Sequence, residues 1–495
     1  FEYIYKYVFI YVHSPHKYNY NMIGRNEQSS AMKDAIKANH SSFIAITGRR
    51  RVGKTYLIRQ VFEKNICFSM TGIQNATLQT QINHFIQKLK EHHKNKLSVG
   101  KIINWQEAFI LLKKHLQSLP KKKKQVIFID ELPWLATAKS GFVQLLAHLW
   151  NDYLSKENHF ILVVCGSATS WIKEKIINDK GGFHNRVNLP LHLEPFTLAE
   201  TKEFLLSKNI QFTDTGIAEI YMAMGGLPYY LDQIKRGESP TKAIERLCFS
   251  KTGILKNEYS NLYKALFSQW ENHEAIVKAL ASKQSGMTRD ELIKKSKVSA
   301  GGPFTRTIQD LIQSGFVSEN IPFGRNKRGV VYRLIDEYTV FYFKFIKGNE
   351  KKETAIWQQI SNTQAYKIWK GYSFETLCMK HVNEIKTALG IKAVYTETSS
   401  YRNIGTKTEQ GFQIDLIIDR KDAAINLCEC KFYESNFEIS KKYAQDIKNR
   451  KANFQIATGT KKMLINTFIS NENIVQNAHA LEVVDSFVHL SELMK

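Results

Sequence analysis

Short apolar runs alternate with amphipathic stretches along the first half of the chain. Phe43 to Ile46 is a buried-strand pattern, and Leu57, Ile58, Val61 and Phe62 recur after it at helical spacing. "ICFSMTG" at 66–72 predicts a second strand, and helical periodicity follows over 77–92 and 105–117. Val126 to Ile129 and "HFILVVCGSATSWI" predict two more buried strands, the latter closing on polar Ser167, with a helix at 141–155 between them. This βαβ rhythm implies an α/β fold with a parallel sheet flanked by helices. The pattern then changes. Helices are expected at 271–283, 288–296 and Gly302 to Ser314, followed by two strands joined by a basic turn in "GFVSENIPFGRNKRGVVYRLID". Three helices and a hairpin make a winged helix-turn-helix. Further on, Phe374, Leu377, Cys378 and Val382 mark a core-facing helix, and "GFQIDLIIDRKDAAINLCECKFY" predicts two strands around a turn near 419–423.

Length and composition narrow the partners. A chain of 495 residues implies about three domains. The net charge of +24 favours a polyanion such as nucleic acid over small neutral metabolites. Six cysteines lie mostly in apolar runs without paired zinc-ligand spacing, which fits a reducing cytoplasm. No apolar stretch approaches the roughly 20 residues a bilayer crossing needs, so a cytoplasmic protein without membrane attachment is expected. The chain begins at Phe1, and orderly patterning starts after Met22, so residues 1–21 are expected outside the functional fold.

Between the first strand and helix, "GRRRVGKT" satisfies G-x-x-x-x-G-K-[ST] through Gly48, Gly53, Lys54 and Thr55. In this motif backbone N–H groups and a helix N-terminus wrap phosphate oxygens. Lys54 would reach the β- and γ-phosphates, Thr55 would ligate magnesium, and Tyr56 in the first helical turn is expected to touch the nucleotide. The arginine triplet has two readings, counter-charge over the phosphates or a solvated loop crest, and the crest is preferred because backbone groups make the cradle. "QVIFIDELPWL" supplies an acid at a strand's C-terminal end: Asp130 to hold the magnesium through water, Glu131 to polarise the attacking water.

Residues 22 to about 235 resemble the archaeal-type ATPase family within the STAND branch of AAA+ proteins, through "IGRNEQ", "GRRRVGKT" and "FIDELPWL". The resemblance implies that Ser167 is the polar sensor, that Arg186 in "FHNRVNLPLHLEPF" acts at the nucleotide within its own subunit or a neighbour's, and that Pro228 in "GGLPYYL" lies near the adenine.

In the basic module, residues 289–333 carry nine lysines and arginines against four acids. Arg306 on the expected recognition helix and Arg325, Lys327 and Arg328 in the wing are the expected DNA contacts, while packing beside the ATPase as a lid is the alternative. The aromatic run "YTVFYFKFI" is expected to pack between domains. In the third region, folding the hairpin near 421 makes Asp415 and Glu429 neighbours and sends Glu429 and Lys431 to one face. Asp415, Glu429-x-Lys431 and Glu375 on the preceding helix are similar to the PD-(D/E)XK nuclease constellation, which such ATPases often carry C-terminally. That likeness implies magnesium or manganese held by Glu375, Asp415 and Glu429, with Lys431 activating water; a salt-bridged, inactive relative is the alternative. No third ligand is spaced near Cys428 and Cys430, so two buried thiols are expected there.

The expected architecture is an extension at 1–21, a P-loop ATPase domain at 22–235 with a helical lid from near 197, a linker and winged helix at 236–348, and a nuclease-like domain at 349–495. The expected function is ATP binding and hydrolysis coupled to DNA engagement, with cleavage by the C-terminal domain. The alternative is a STAND-type signalling ATPase or DNA-binding regulator whose nuclease-like domain is inactive. A homo-oligomer is compatible with either.

Overall fold

The computed structural model describes residues 22–93, 100–137, 139–267, 269–325, 329–349, 356–405 and 410–495. The expected extension at 1–21, and Lys327 and Arg328 of the expected wing, lie outside the described residues.

Five strands form the N-terminal sheet: β1 (Ser42–Thr47), β2 (Ile66–Thr71), β3 (Gln125–Asp130), β4 (Phe160–Cys165) and β5 (Leu189–His192). They are all parallel, in the order β2-β3-β4-β1-β5. β1, β3 and β4 are buried along their whole length, as expected of strands covered by helices on both faces. Period two divides their side chains between two cores. Phe43, Ala45, Ile127, Ile129, Leu162 and Val164 face one core, and Ile44, Ile46, Val126, Phe128, Ile161 and Val163 face the other. β4 lies between the two motif strands, so the segment after it, with Ser167, emerges between the phosphate loop and the acid. β5 is an addition to the expected pattern. It is a half-exposed edge strand containing Pro190, whose missing N–H is tolerated only at an edge or bulge.

Helices Leu198–Ser207 and Asp214–Met224 follow, over the residues where the helical lid is expected. The first opens with a capping box between Thr197 and Glu200. In the middle module, helices Trp270–Ala281, Arg289–Ser296 and Gly302–Gln313 precede an antiparallel hairpin of β7 (Val317–Asn320) and β8 (Val331–Leu334). A two-residue strand β6 (Met287–Thr288) pairs with β8 as well, giving the order β6-β8-β7.

The C-terminal sheet is mixed, in the order β13-β12-β11-β10-β9. β9 (Thr396–Gly405), β10 (Gln410–Arg420) and β11 (Ala424–Lys431) are antiparallel, whereas β12 (Met463–Ser470) and β13 (Ser486–His489) continue parallel to β11. Helix Lys441–Thr458 makes the crossover from β11 to β12. Leu416 pairs with Cys428, which sets Asp415 opposite Glu429, and the β9 pairing shifts register between Ile414 and Ile417. Such a bulge re-aims the side chains next to it.

The three parts share one core. The aromatic run packs as expected, with Phe341 and Phe345 against Trp357 and Trp369. Leu490 and Leu493 at the far C-terminus belong to the same buried cluster as helix Leu198–Ser207. His381 accepts the backbone N–H of Leu198 at 3.0 Å, tying the C-terminal helices to the start of that helix. The hairpin turn docks on the C-terminal sheet: Phe323 N–H donates to Ser400 O at 2.9 Å, and its ring meets Phe454 at 5.2 Å. No helix among the described residues is long and apolar enough to cross a membrane.

Candidate functional site

β1 delivers the chain to a loop that only glycine can begin and end. Gly48 has φ 139°, and a Cβ there would lie 2.5 Å from the Leu193 carbonyl oxygen; Gly53 has φ 93° and leads into helix Lys54–Phe62. The first N–H groups of that helix have no intrahelical acceptor and point back into the loop. Lys54 is buried, and its ammonium donates to the carbonyls of Gly48 at 2.7 Å and Arg49 at 3.0 Å. Thr55 Oγ1 donates to Asp130 Oδ2 at 2.8 Å, joining the loop helix to β3. Tyr56, expected to touch nucleotide, is half exposed on the next helical position.

Asp130 and Glu131 divide their roles by orientation. Asp130 Oδ1 accepts from the Cys165 thiol at 2.8 Å and from Glu131 N–H at 2.9 Å, which leaves Oδ2 toward Thr55. Glu131 adopts a left-handed backbone (φ 46°, ψ 49°), which costs a non-glycine residue on the order of 1 kcal/mol and turns its carboxylate across the sheet. There it accepts the backbone N–H and the hydroxyl of Ser167, each at 3.0 Å. Burial pushes the Glu131 carboxyl above its ordinary range, against the pull of the Lys54 ammonium. A carboxylate so raised is a better proton acceptor near neutral pH. The structure thus brings Lys54, Thr55, Asp130, Glu131 and Ser167 together.

The arginine triplet is no solvated crest. Arg49 is 5 % exposed, and its Nη1 donates to Asp336 Oδ1 at 2.6 Å while its guanidinium lies 4.6 Å over the Phe316 ring. Arg51 pairs with Glu258 at 2.9 Å and stacks on Tyr229 at 4.2 Å. Arg50 is half-buried. Burial would lower the Arg49 pKa, but the Asp336 carboxylate outweighs it and holds the guanidinium above its usual value; Asp336 in turn is held below the usual carboxylate range. These partners lie so far along the chain that no local pattern pointed to them. The one sequence signal is an aspartate immediately ahead of an aromatic helix, the place of an N-cap.

The residues brought in by family likeness are less gathered. Pro228 opens helix Pro228–Leu231 beside Tyr229 and so flanks the loop through Arg51. Arg25 of "IGRNEQ" donates to Glu194 O at 2.6 Å and to Val52 O at 3.5 Å, bracing the loop from outside. Arg186 is exposed in the turn before β5, with no side-chain hydrogen bond or ion pair among the described residues.

At the C-terminal sheet, Lys431 Nζ lies 2.8 Å from Glu429 Oε1 and 3.7 Å from Asp415 Oδ2. The expected metal set of Glu375, Asp415 and Glu429 converges without forming a metal-holding group. Among the described residues no three His, Cys, Asp or Glu are arranged to hold an ion. The reason lies in helix Lys441–Thr458: Tyr443 donates to Glu429 Oε1 at 2.8 Å and Arg450 to Oε2 at 2.7 Å, so both oxygens of Glu429 are already engaged. Burial would raise the Glu429 pKa, but Lys431 and Arg450 hold it below the usual range. Glu375 moves the other way, pushed up to about 8 by burial and by Asp415. Arg333 of β8 adds a cation facing Glu375 and Asp415 from the middle module. The thiols of Cys428 and Cys430 are buried as expected, and Cys378 from helix Gln364–Lys380 adds a third buried thiol beside Cys430 that spacing did not show. Arg306 is exposed on helix Gly302–Gln313, and Arg325 is exposed beside the docked turn.

Residues 23–234 match the family model of an ATPase domain predominantly from Archaea. The N-terminal part of the chain is an archaeal-type P-loop ATPase domain. An uncharacterized protein of Methanocaldococcus jannaschii is 24% identical over 438 residues, covering 86% of this chain and 90% of that protein. A Walker-type ATPase of Pyrococcus abyssi is 16% identical, with a TM-score of 0.48 over 66% of this chain and 97% of that one. The ORC2 protein of Aeropyrum pernix, solved in complexes with ADPNP and ADP, is 13% identical, with a TM-score of 0.34 over 65% of this chain and 94% of that one. The parallel sheet, the loop and the acid at the end of β3 all lie within the matched residues.

Proposed function

We propose that the chain is a nucleotide-controlled switch: ATP bound and hydrolysed by the ATPase domain governs how the middle module, read as a winged helix-turn-helix, engages DNA. The C-terminal domain, read as a restriction-nuclease-like fold, serves as a platform. The observation that carries the nucleotide reading is the Thr55–Asp130 contact at 2.8 Å, which joins the loop helix to a strand that β4 separates from β1. The N–H groups of the loop and Lys54 would bind the phosphates, Glu131 would take a proton from the attacking water, and Ser167 would hold Glu131 in place. Thr55 and Asp130 form the hard-oxygen pair suited to magnesium, which neutralises phosphate charge when bound. Arg186, exposed and unpaired among the described residues, would serve the nucleotide of its own chain or of a second copy. Phosphate release by the wild-type chain and its loss in Lys54→Ala test this reading.

DNA engagement is supported by the charge of +24 and by Arg306 exposed on helix Gly302–Gln313, with Arg325, Lys327 and Arg328 as further phosphate contacts. One observation favours magnesium- or manganese-dependent cleavage as a second reading: Glu375, Asp415, Glu429 and Lys431 converge on one sheet end. The engagement of Glu429 by Arg450 and Tyr443 favours the platform. Plasmid incubated with either metal, using the wild-type chain and Asp415→Ala, separates the two: cleavage lost in the variant would establish the nuclease.

A further inference from the structure

Arg49 is held at both ends. Its carbonyl oxygen accepts from Lys54 Nζ at 3.0 Å, and its guanidinium donates to Asp336, 287 residues away, at 2.6 Å. Asp336 uses its other oxygen, Oδ2, to accept the N–H of Thr339 at 3.0 Å together with the Thr339 hydroxyl, which caps helix Glu337–Phe341. The aromatic face of that helix is the joint to the C-terminal domain: Phe341 meets Trp357 at 5.0 Å and Trp369 at 5.4 Å. Arg51 reaches the same helix by another route. Glu258, its partner, accepts from Tyr230 at 3.1 Å, and the backbone N–H of the next residue, Tyr259, donates to Tyr338 Oη at 3.1 Å. Arg49 Nη2 and Arg51 Nη1 are buried donors without an acceptor among the described residues.

This chain of contacts has little slack. Lys54 spends two of its three N–H donors on the carbonyls of Gly48 and Arg49, so a phosphate drawing on the same ammonium would pull on the Arg49 peptide. The Arg49 side chain is buried among a carboxylate and a ring, so it cannot absorb that pull by swinging into solvent. We infer that Arg49 and Asp336 are positioning residues that transmit occupancy of the phosphate loop to helix Glu337–Phe341 and so to the C-terminal domain. The inference rests on the nucleotide reading proposed above and adds the route by which that nucleotide acts.

Hydrogen exchange in peptides spanning 334–342, with and without Mg-AMP-PNP, tests it, and calorimetry on the same samples establishes occupancy. Asp336→Asn keeps an oxygen for the Thr339 cap but removes the charge facing Arg49. The saturated wild-type chain is expected to change its exchange in this segment, whereas saturated D336N loses the change while binding the analogue within about tenfold of wild type, inside the usual span of coupling between sites. A full-sized change in D336N, or none in the saturated wild-type chain, overturns the inference. If D336N fails to fold, Arg49→Lys, which keeps the charge and loses the planar donor pair, takes its place under the same criteria. A wild-type chain that takes up no analogue defeats the nucleotide reading itself, and the inference with it.

Discussion

Replacing Glu131 by glutamine removes basicity and little else. Both Glu131 oxygens lie 3.0 Å from the Ser167 hydroxyl, and one also accepts the Ser167 backbone N–H at 3.0 Å. The glutamine carbonyl can keep the N–H, and the serine hydroxyl can rotate to accept from the new amide, so the side chain should stay in place. The left-handed backbone at residue 131 is unchanged by the swap. What disappears is the proton acceptor, and a positioned general base contributes about 10²- to 10⁴-fold, or roughly 3–5 kcal/mol of barrier. Steady-state phosphate release should therefore show kcat reduced by about 10²- to 10⁴-fold. Mg-ATP affinity, measured by equilibrium binding, should move by no more than a few fold, because Glu131 lies outside the loop proposed to hold the phosphates. Turnover close to wild type would refute the assignment of Glu131 as base. So would a loss confined to affinity, which would make Glu131 a binding residue.

Other predictions follow from the same geometry. The Glu375 pKa is raised from 4.5 to about 8, so its contribution to stability is full below 4.5 and lost as pH rises through about 8. Glu375→Gln should flatten the fall of the urea midpoint across that window, and a variant with the wild-type slope would remove the buried-carboxyl account. Arg450→Ala leaves Glu429, which is 12 % exposed, without one of its two cations and should cost about 1–3 kcal/mol in urea unfolding. A change near zero would mean that the pair is solvated. If helix Gly302–Gln313 meets DNA, Arg306→Ala should weaken binding and lower the salt dependence by about one charge. Arg325→Ala should do less, because its hairpin turn is docked through Phe323. Equal effects of the two would point to an undocked hairpin.

Much of this site was legible because its chemistry is local. The phosphate loop, the acid after β3 and Ser167 after β4 each close an apolar run, and such runs announce parallel strands directly. Register in a hairpin is also local, which is why folding "GFQIDLIIDRKDAAINLCECKFY" placed Asp415 beside Glu429. Pro190 and half exposure hid β5, since neither reads as strand pattern. Strands β9, β12 and β13 escaped because a mixed sheet lacks the strict alternation of one covered face. The arginines were misread for a different cause. A charged run in a loop is usually solvated, and only tertiary packing reveals that Asp336 and Glu258 wait for two of the three. Arg450 and Tyr443 follow the same rule: their helix brings them to Glu429 from beyond the motif.

Backbone amides at Gly48 to Thr55, with Lys54, are proposed to hold the phosphates of ATP. Equilibrium binding of Mg-ATP to the purified chain and to Lys54→Ala, each verified as folded by circular dichroism, tests it most directly. Saturable binding at a single site is expected in the wild-type chain, and its loss in the variant. Folded wild-type protein that binds no Mg-ATP, or a variant that binds it as well as wild type, would contradict it.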